Sequence, residues 1–329
     1  MKMRLDWIDY LKGICMFCVV MSHLYWPEWY ERFLAPFYLA GFFFVSGYTF
    51  KLKSSFKEFL FVKSRTFLWP ILALGFINAF IVYLYPGVDI KERLLGIMVQ
   101  IPGLWDDLWF VACLFTMELI FYPFLRYVHS DRGRCAIISI LVCGGLVYAN
   151  SGLMHLPWHL ENACIMLPFL YFGYWVKESI HGAKYFNRLR NGKVLLLLLV
   201  IYILLNVVYN NTPVDIHVLE YGFFPFYMLS AFIGVLLVAS ASLTLDSTLD
   251  VRLIKTVLRY VGKNSLVYYA FQSKIITAII ILITPLGWHV HSYVGNIISA
   301  VVVCMLLIVP TEIINRFFPF LLGRKRTIK

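Results

Sequence analysis

The sequence predicts an all-α fold, a polytopic membrane helix bundle with about ten transmembrane helices. Hydrophobic residues make up 61% of the 329 positions and charged residues only 14%, whereas soluble domains average about 45–50% and about 25%. Apolar runs of the length that crosses a bilayer, about 20 residues at 1.5 Å each, recur along the chain. A soluble domain, a disordered chain and a disulfide-stapled domain are excluded, the last because seven Cys are sparse and odd in number.

Ten segments have the composition and approximate length of a span. We predict spans at 8–26, 33–51, 66–86, 108–127, 135–150, 162–178, 193–210, 220–241, 258–283 and 292–318. The apolar run Leu94–Ile101 is too short to cross and is predicted to be re-entrant or interfacial. No linker separates the segments, so we predict a single integral membrane domain, residues 1–329.

The distribution of basic residues predicts the orientation. With ten spans, 23 of the 29 Lys and Arg residues fall at the termini and in alternate connections, and only Arg32, Lys91 and Arg93 fall on the other side. The positive-inside rule predicts cytoplasmic termini, in a membrane that we expect to be a bacterial inner membrane. The net charge of +11 therefore reports topology and contact with membrane lipid, and no nucleic-acid partner is predicted.

Three ionisable side chains lie in the first predicted span: Asp9, Lys12 and His23. Eleven steps of about 100° return His23 to the face of Lys12, about 16 Å along the helix, and Asp9 lies one turn before Lys12. Ionisable groups at bilayer depth are costly, which makes them candidates for function. The structural alternative is that Lys12 snorkels to the interface while His23 hydrogen-bonds within the bundle.

Further polar side chains lie inside other predicted spans. Glu118 is near the middle of the fourth span and needs a proton or a partner, for which Lys274 in the ninth span is a candidate. Tyr268 and Gln272 lie four residues apart and predict a polar stripe that faces the bundle interior. Ser46, beside a glycine in the second span, fits either a site or close helix packing.

Two histidine clusters have spacings compatible with metal binding, His155 and His159 with Glu161, and His289 with His291. No helix is predicted to fix the geometry of either cluster. We therefore predict no metal site and no bound cofactor.

Five segments occur in an order that is typical of one family. They are Lys12 and His23 separated by ten residues, Phe42-Phe-Phe-Val-Ser46-Gly47-Tyr48, Lys63-Ser-Arg65-Thr-Phe-Leu-Trp-Pro70, Leu108-Trp109-Phe110 with Glu118, and Gly262-Lys-Asn-Ser265-Leu. Together they resemble the acyltransferase-3 family, integral membrane enzymes that O-acylate carbohydrates, peptides or lipids, and its fucose 4-O-acetylase-like branch in particular. The sequence departs from the family in one place: after Asn-Ser-Leu many members carry a second His a turn or two further on, and this sequence has Gln272 in that neighbourhood.

The resemblance implies acyl-CoA, usually acetyl-CoA, as a co-substrate from the cytoplasm, and a hydroxyl of a carbohydrate or lipid-linked glycan of the cell envelope as acceptor. We predict that His23 acts as general base or as transient acyl carrier. The predicted site residues are His23, Asp9 and Lys12 for catalysis, Lys12, Lys63 and Arg65 for the donor, and Tyr25, Ser46, Trp109, Glu118, Tyr268 and Gln272 for the acceptor. The alternative is a transporter or flippase of a glycolipid or small solute, which would need no acyl-CoA.

The orientation can be tested by cysteine labelling in a background without the native Cys. Substitutions near Glu28 and His155 should react with an impermeant reagent added outside, because the charge distribution places both positions there. Substitutions near Lys57 and Lys184 should react only after permeabilisation. Reversed labelling would place His23 toward the cytoplasm and contradict the predicted orientation.

Overall fold

A computed structural model describes residues 5–24, 28–83, 89–104, 107–208, 214–248, 251–283 and 293–324. Helices dominate these residues, which contain no strand beyond one isolated bridge between Asp215 and Glu220. The helices are α1 Asp6–Ser22, α2 Glu28–Thr49, α3 Phe56–Lys63, α4 Trp69–Tyr83, α5 Ile90–Val99, α6 Trp109–Tyr127, α7 Asp131–Ala149, α8 Leu160–Glu178, α9 Ile180–Asn187, α10 Gly192–Val208, α11 Phe224–Thr248, α12 Arg252–Lys263, α13 Ser265–Ile283, α14 Tyr293–Leu306 and α15 Ile308–Phe317.

Each predicted span overlaps one of these helices, which confirms the all-α helix bundle. Within the described ranges, six helical segments are long and apolar enough to cross a membrane. A seventh is reached if α9 and α10, bent by 91° at their junction, form one span. α1 has 17 residues and is shorter than each of these six segments. The number of ten transmembrane helices therefore stays a prediction.

The third predicted span, 66–86, begins ten residues too late. Its helical segment runs over Phe56–Tyr83, with a wide π-helical turn at Ser64–Leu68 between α3 and α4. The hydroxyl of Ser55 caps α3 by accepting a hydrogen bond from the Glu58 N–H. The basic residues Lys57, Lys63 and Arg65 therefore lie in helical turns, whereas the sequence predicts them in the connection that precedes the span.

The predicted span 258–283 is also wrong at its start, because it contains two helices, α12 and α13, that separate at Asn264. Four basic residues recur every three or four positions of α12 and form one stripe: Arg252, Lys255, Arg259 and Lys263. Three apolar side chains of α12 are exposed: Leu253, Ile254 and Val257. A basic stripe beside an exposed apolar face is the pattern of a helix that lies along a membrane interface. The apolar spanning part of this segment is therefore α13.

The described chain divides into two compact units. Unit 1 comprises the described residues of Met1–Thr49, Phe169–Asp215 and Glu220–Thr311, and unit 2 those of Phe50–Pro168, Ile216–Leu219 and Glu312–Lys329. α1, α2 and α9–α14 belong to unit 1, whereas α3–α7 belong to unit 2. The single domain predicted for residues 1–329 stays a prediction.

In unit 1, α2 and α8 cross with their backbones in contact through two glycines. A Cβ atom on Gly47 would overlap the carbonyl oxygen of Leu170, and a Cβ on Gly173 would overlap the carbonyl oxygen of Phe44. Each helix thus supplies the glycine that admits the backbone of the other. Of the two readings of this segment, the position of Gly47 supports close helix packing through small residues.

The same reciprocal arrangement joins α1 to α12. A Cβ on Gly13 would overlap the carbonyl oxygen of Leu258, and a Cβ on Gly262 would overlap the carbonyl oxygen of Asp9. Gly262 belongs to the Gly-x-Asn-Ser-Leu segment and Asp9 to the first-helix segment. The crossing therefore brings the first and the last of the five family-like segments together.

Alanine substitutions should separate the crossing glycines from ordinary helical glycines. Gly47→Ala and Gly173→Ala should each lower stability by about 1–3 kcal/mol or more, because a methyl group must displace a carbonyl. Gly144→Ala is the matched control, since a Cβ there meets no atom within 4 Å, and it should gain about 0.5–1 kcal/mol. Thermal unfolding of the detergent-solubilised protein measures all three, and equal melting temperatures would contradict the proposed packing.

Candidate functional site

The acid–base pair predicted on the first helix is formed. Lys12 Nζ lies 3.6 Å from Asp9 Oδ1 one turn earlier on α1. The Asp9 side chain is buried, whereas the Lys12 side chain is 23% exposed. The buried carboxylate therefore has a cationic partner at the point where α12 crosses α1.

His23 lies at the C-terminal end of α1, one residue beyond the last helical residue, so the predicted span 8–26 overruns the helix. The side chain is exposed, and its Nδ1 lies 2.9 Å from the carbonyl oxygen of Val19. A carbonyl oxygen can only accept, so in the neutral ring Nδ1 carries the proton and Nε2 keeps its lone pair. This tautomer is the one in which Nε2 acts as a base or a nucleophile.

An additional cation, which sequence reasoning missed as a site residue, contacts the start of α1. Arg259 of α12 donates through Nη2 to Asp6 Oδ2 at 2.6 Å and to the Tyr10 hydroxyl at 2.9 Å. The signal available in the sequence was the spacing of the basic stripe of α12 ahead of Gly262. Two paired cations, Lys12 of α1 and Arg259 of α12, thus lie at this end of α1, and both belong to unit 1.

Lys63 and Glu118 form an ion pair in unit 2, in which Lys63 Nζ contacts Glu118 Oε2. The sequence suggested Lys274 as the partner of Glu118 and assigned Lys63 to the donor and Glu118 to the acceptor. The structure instead brings Lys63 and Glu118 together, halfway along α6. Three phenyl rings surround the ammonium at 5.4–5.7 Å from their centroids: Phe50, Phe59 and Phe67. Aromatic faces stabilise the cation where water is scarce.

Arg65 lies in the π-helical turn that follows Lys63, and its side chain is exposed. Its Nε donates to the carbonyl oxygen of Gly323 at 2.7 Å, while the Trp69 indole donates to the carbonyl oxygen of Phe320 at 2.7 Å. The segment after α15 is thereby tied to this turn. Single π-helical turns within α-helices occur often at functional sites.

The residues predicted to bind the acceptor occupy different places. Ser46 is half-buried on α2, and the Tyr268 hydroxyl donates to the carbonyl oxygen of Cys304 at 3.0 Å. Gln272, one turn further along α13, is buried, and its Oε1 has no hydrogen-bond partner among the described residues. All three lie in unit 1, whereas Trp109 lies in unit 2. Tyr25 is outside the described residues.

Trp109 contacts two imidazole rings at the start of α6. Its ring centroid lies 5.2 Å from that of His159 and 4.9 Å from that of His217. His159 is fully buried and has a left-handed backbone with φ of 50°. The sequence had offered His159 only as a metal ligand and had not singled out His217.

Of the two histidine clusters considered as metal sites, one lies within the described residues. His155 Nδ1 lies 3.1 Å from Glu161 Oε1, so this imidazole has a buried carboxylate as its partner. His289 and His291 are outside the described residues. Within the described ranges, no group of three or more His, Cys, Asp or Glu side chains is arranged to hold a metal ion.

The Lys63–Glu118 pair should be worth much more than an exposed pair of the same chemistry. Lys63→Met or Glu118→Gln alone should lower stability by about 3–5 kcal/mol, because each leaves an uncompensated charge. The double variant should recover part of that loss. Lys53→Met, Glu58→Gln and their double variant provide the matched control, since that exposed pair at 2.9 Å should contribute far less than a pair shielded from water.

Thermal unfolding in detergent measures the six variants of the two cycles. A loss on Lys63→Met no larger than on Lys53→Met would contradict the assignment of a charge pair that is shielded from water.

Comparison with known proteins agrees with the family that the five segments resemble. The family model described as an acyltransferase domain, acyltransferase-3, matches residues 5–310. No curated protein matches the chain. The match includes α1 with its His23, the Lys63–Glu118 pair and the α12 crossing, and it spans nearly all of the described helices. The chain belongs to the acyltransferase-3 family of integral membrane acyltransferases.

Proposed function

We propose that this protein moves an acyl group, in particular acetyl, from acyl-CoA on the cytoplasmic side to a hydroxyl of a cell-envelope glycan or glycolipid. The observation that carries the proposal is the imidazole of His23 at the exposed end of α1, held in the Nδ1–H tautomer by the Val19 carbonyl. Family membership supplies the acyl-transfer chemistry. The sugar acceptor, as in the fucose 4-O-acetylase-like branch, is part of the proposal.

Two routes use the lone pair on Nε2. In the first, Nε2 takes the proton of the acceptor hydroxyl while the hydroxyl oxygen attacks the carbonyl carbon of the thioester. The C–S bond then breaks, and the leaving thiolate takes the proton from the imidazolium. In the second, Nε2 itself attacks the carbonyl carbon and the C–S bond breaks with release of thiolate. The acceptor oxygen then displaces the acyl group from nitrogen, and the hydroxyl proton is released to solvent, where it balances the thiolate. The sequence pattern and the helix-end geometry fit both.

The charges of α1 and of the π-helical turn suit the anionic donor. Lys12, 23% exposed, and the exposed Arg65 can each meet a phosphate of coenzyme A. Lys63 would first have to leave Glu118, so we give the phosphate role to Lys12 and Arg65. Asp9 acts in this proposal by holding the Lys12 ammonium in place.

The residues of unit 1 that we assign to the sugar acceptor contribute oxygen atoms that can accept hydrogen bonds. The buried Oε1 of Gln272 can accept from an acceptor hydroxyl, and Ser46 and the Tyr268 region provide further polar groups. Gln272 lies in the neighbourhood in which many family members carry a second His, and an amide does not act as a general acid or base at neutral pH. We therefore assign Gln272 to binding rather than to acid–base chemistry.

Replacement of His23 tests the proposal. His23→Ala should reduce acyl transfer from acetyl-CoA to an envelope glycan extract at least about a hundredfold, the lower end of what a lost acid–base group costs. His23→Asn should be equally inactive, although its amide can still donate to the Val19 carbonyl. His129→Ala is the control, since His129 is exposed in the connection between α6 and α7. Mass spectrometry of the glycans measures the acyl increment.

Activity of His23→Asn at the wild-type rate would contradict the assignment. Incubation with acetyl-CoA alone then separates the routes, because only the carrier route releases thiol in a burst equal to the enzyme and labels the His23 peptide. Substrate movement without any need for acyl-CoA would favour the transporter alternative.

A further inference from the structure

The short segment that follows α15 packs against the π-helical turn that carries Arg65. A 3₁₀ turn at Pro319–Leu322 forms this segment, and the side chains of Pro319 and Leu322 are buried. Together with Gly323 we call it the 319–323 segment; it belongs to unit 2, as does Arg65. The family model matches residues 5–310, so the segment lies beyond that match and family membership assigns it no role.

Two side chains hold this segment by its backbone. Arg65 Nε donates to the carbonyl oxygen of Gly323, and the Trp69 indole donates to that of Phe320, each at 2.7 Å. The two donors lie about one helical turn apart, and the two carbonyls lie three residues apart, which is one 3₁₀ turn. The match at two points restrains the direction of the Arg65 side chain as well as its position.

Gly323 is needed at the point of contact. Its φ is 65°, in the left-handed region that residues with a Cβ seldom adopt. A Cβ there would also overlap the carbonyl oxygen of Arg65. The N–H of Gly323 donates to the Phe320 carbonyl oxygen at 2.9 Å and closes the 3₁₀ turn. A side chain at position 323 would therefore move the Gly323 carbonyl away from Arg65 Nε.

The contact with Gly323 uses one end of the Arg65 guanidinium. A guanidinium has five N–H groups in a planar fork, and Nε carries one of them. The other four belong to the two Nη groups, at the opposite end of the fork on a side chain that is exposed. Two parallel N–H groups of this kind bind two oxygens of one phosphate. The segment therefore orients the fork through Nε, the nitrogen that this mode of binding does not need.

A second cation adjoins the contact in the chain. Arg324 follows Gly323 directly, is exposed, and donates through Nη1 to Asn315 Oδ1 at 3.1 Å. The charge distribution in the sequence predicts both Arg65 and Arg324 on the cytoplasmic side. This is the side from which acyl-CoA would come, and a positive surface there suits its phosphates.

We propose that the 319–323 segment is a positioning element for the donor, because it holds the Arg65 guanidinium in the orientation that binds a phosphate of coenzyme A. The inference rests on the proposed function, in which Arg65 meets that phosphate. An arginine that is already held loses less side-chain entropy on binding, so its contact with the ligand is stronger. Gly323 is thus a positioning residue that acts through Arg65.

Gly323→Ala tests the inference by calorimetric titration of the purified full-length protein with coenzyme A. The Kd should rise about two- to tenfold, the factor expected when one arginine side chain must first be ordered. Gly152→Ala is the matched control, since Gly152 has a similar φ of 70° but a Cβ there meets no atom within 4 Å. It introduces the same backbone strain without moving a contact of Arg65, and its Kd should equal that of the wild type.

A cycle with Arg65→Met separates positioning from a general loss of structure. Arg65→Met should itself raise the Kd about ten- to a hundredfold, because a charge-assisted contact is lost. In the Arg65→Met background, Gly323→Ala should raise the Kd no further, because no guanidinium remains to be oriented. Trp69→Phe removes only the indole N–H that holds Phe320, and it replaces Gly323→Ala in the cycle should that variant fold poorly.

Each outcome supports or overturns a defined claim. A rise in the Kd that is absent from Gly152→Ala and from the Arg65→Met background supports the positioning role. An unchanged Kd in the folded variant, or an equal rise in the Arg65→Met background, overturns the inference and leaves the proposed function intact. An unchanged Kd in Arg65→Met removes Arg65 from the donor site and overturns the inference with it. A wild-type protein that does not bind coenzyme A would overturn both the inference and the proposed function.

Discussion

The energetic cost of a charge held away from water is the constraint on which this helix bundle depends. Lys63 and Glu118 meet halfway along α6, so the pair joins the end of α3 to α6 and allows a lysine to lie within the helical segment that begins at Phe56. Asp6 and Arg259 also join α12 to the start of α1, but both side chains are about a third exposed and keep much of their hydration. Only in the Lys63–Glu118 pair would removal of one member leave a charge that neither water nor a partner compensates.

Local composition predicts the all-α fold and the rough positions of the long apolar helices, because apolar runs of this length have few other solutions. It does not predict the shorter helices α3, α9 and α12. Helix ends were less accessible. The sequence predicts that the third span begins after the basic residues that precede it. Lys63 nevertheless lies within the helical segment, because the carboxylate of Glu118, 55 positions away in the sequence, compensates its charge. Likewise, the sequence places Arg259 among the cytoplasmic cations and does not indicate its contact with Asp6, because the two residues are far apart in the chain. Contacts between distant segments have no local pattern.

The spacing of Lys12 and His23 can be recognised in the sequence, but the tautomer of the His23 ring depends on the residue at which α1 ends. The last carbonyls of a helix lack partners within it, and Val19 offers one of them to the ring of His23. A helix that continued for one more turn would have used this carbonyl for a backbone bond. The end of α1 therefore determines which nitrogen of the neutral ring carries the proton, a property that residue spacing alone does not predict.

The reciprocal glycine crossings have a consequence for how this family is recognised. Gly47 and Gly262 belong to two of the segments that mark the family, and each is needed because a neighbouring carbonyl occupies the space of its side chain. These segments therefore report a shared architecture, in which α1 meets α12 and α2 meets α8, rather than a shared substrate. Proteins that carry them can diverge in what they acylate by changing residues that no crossing constrains.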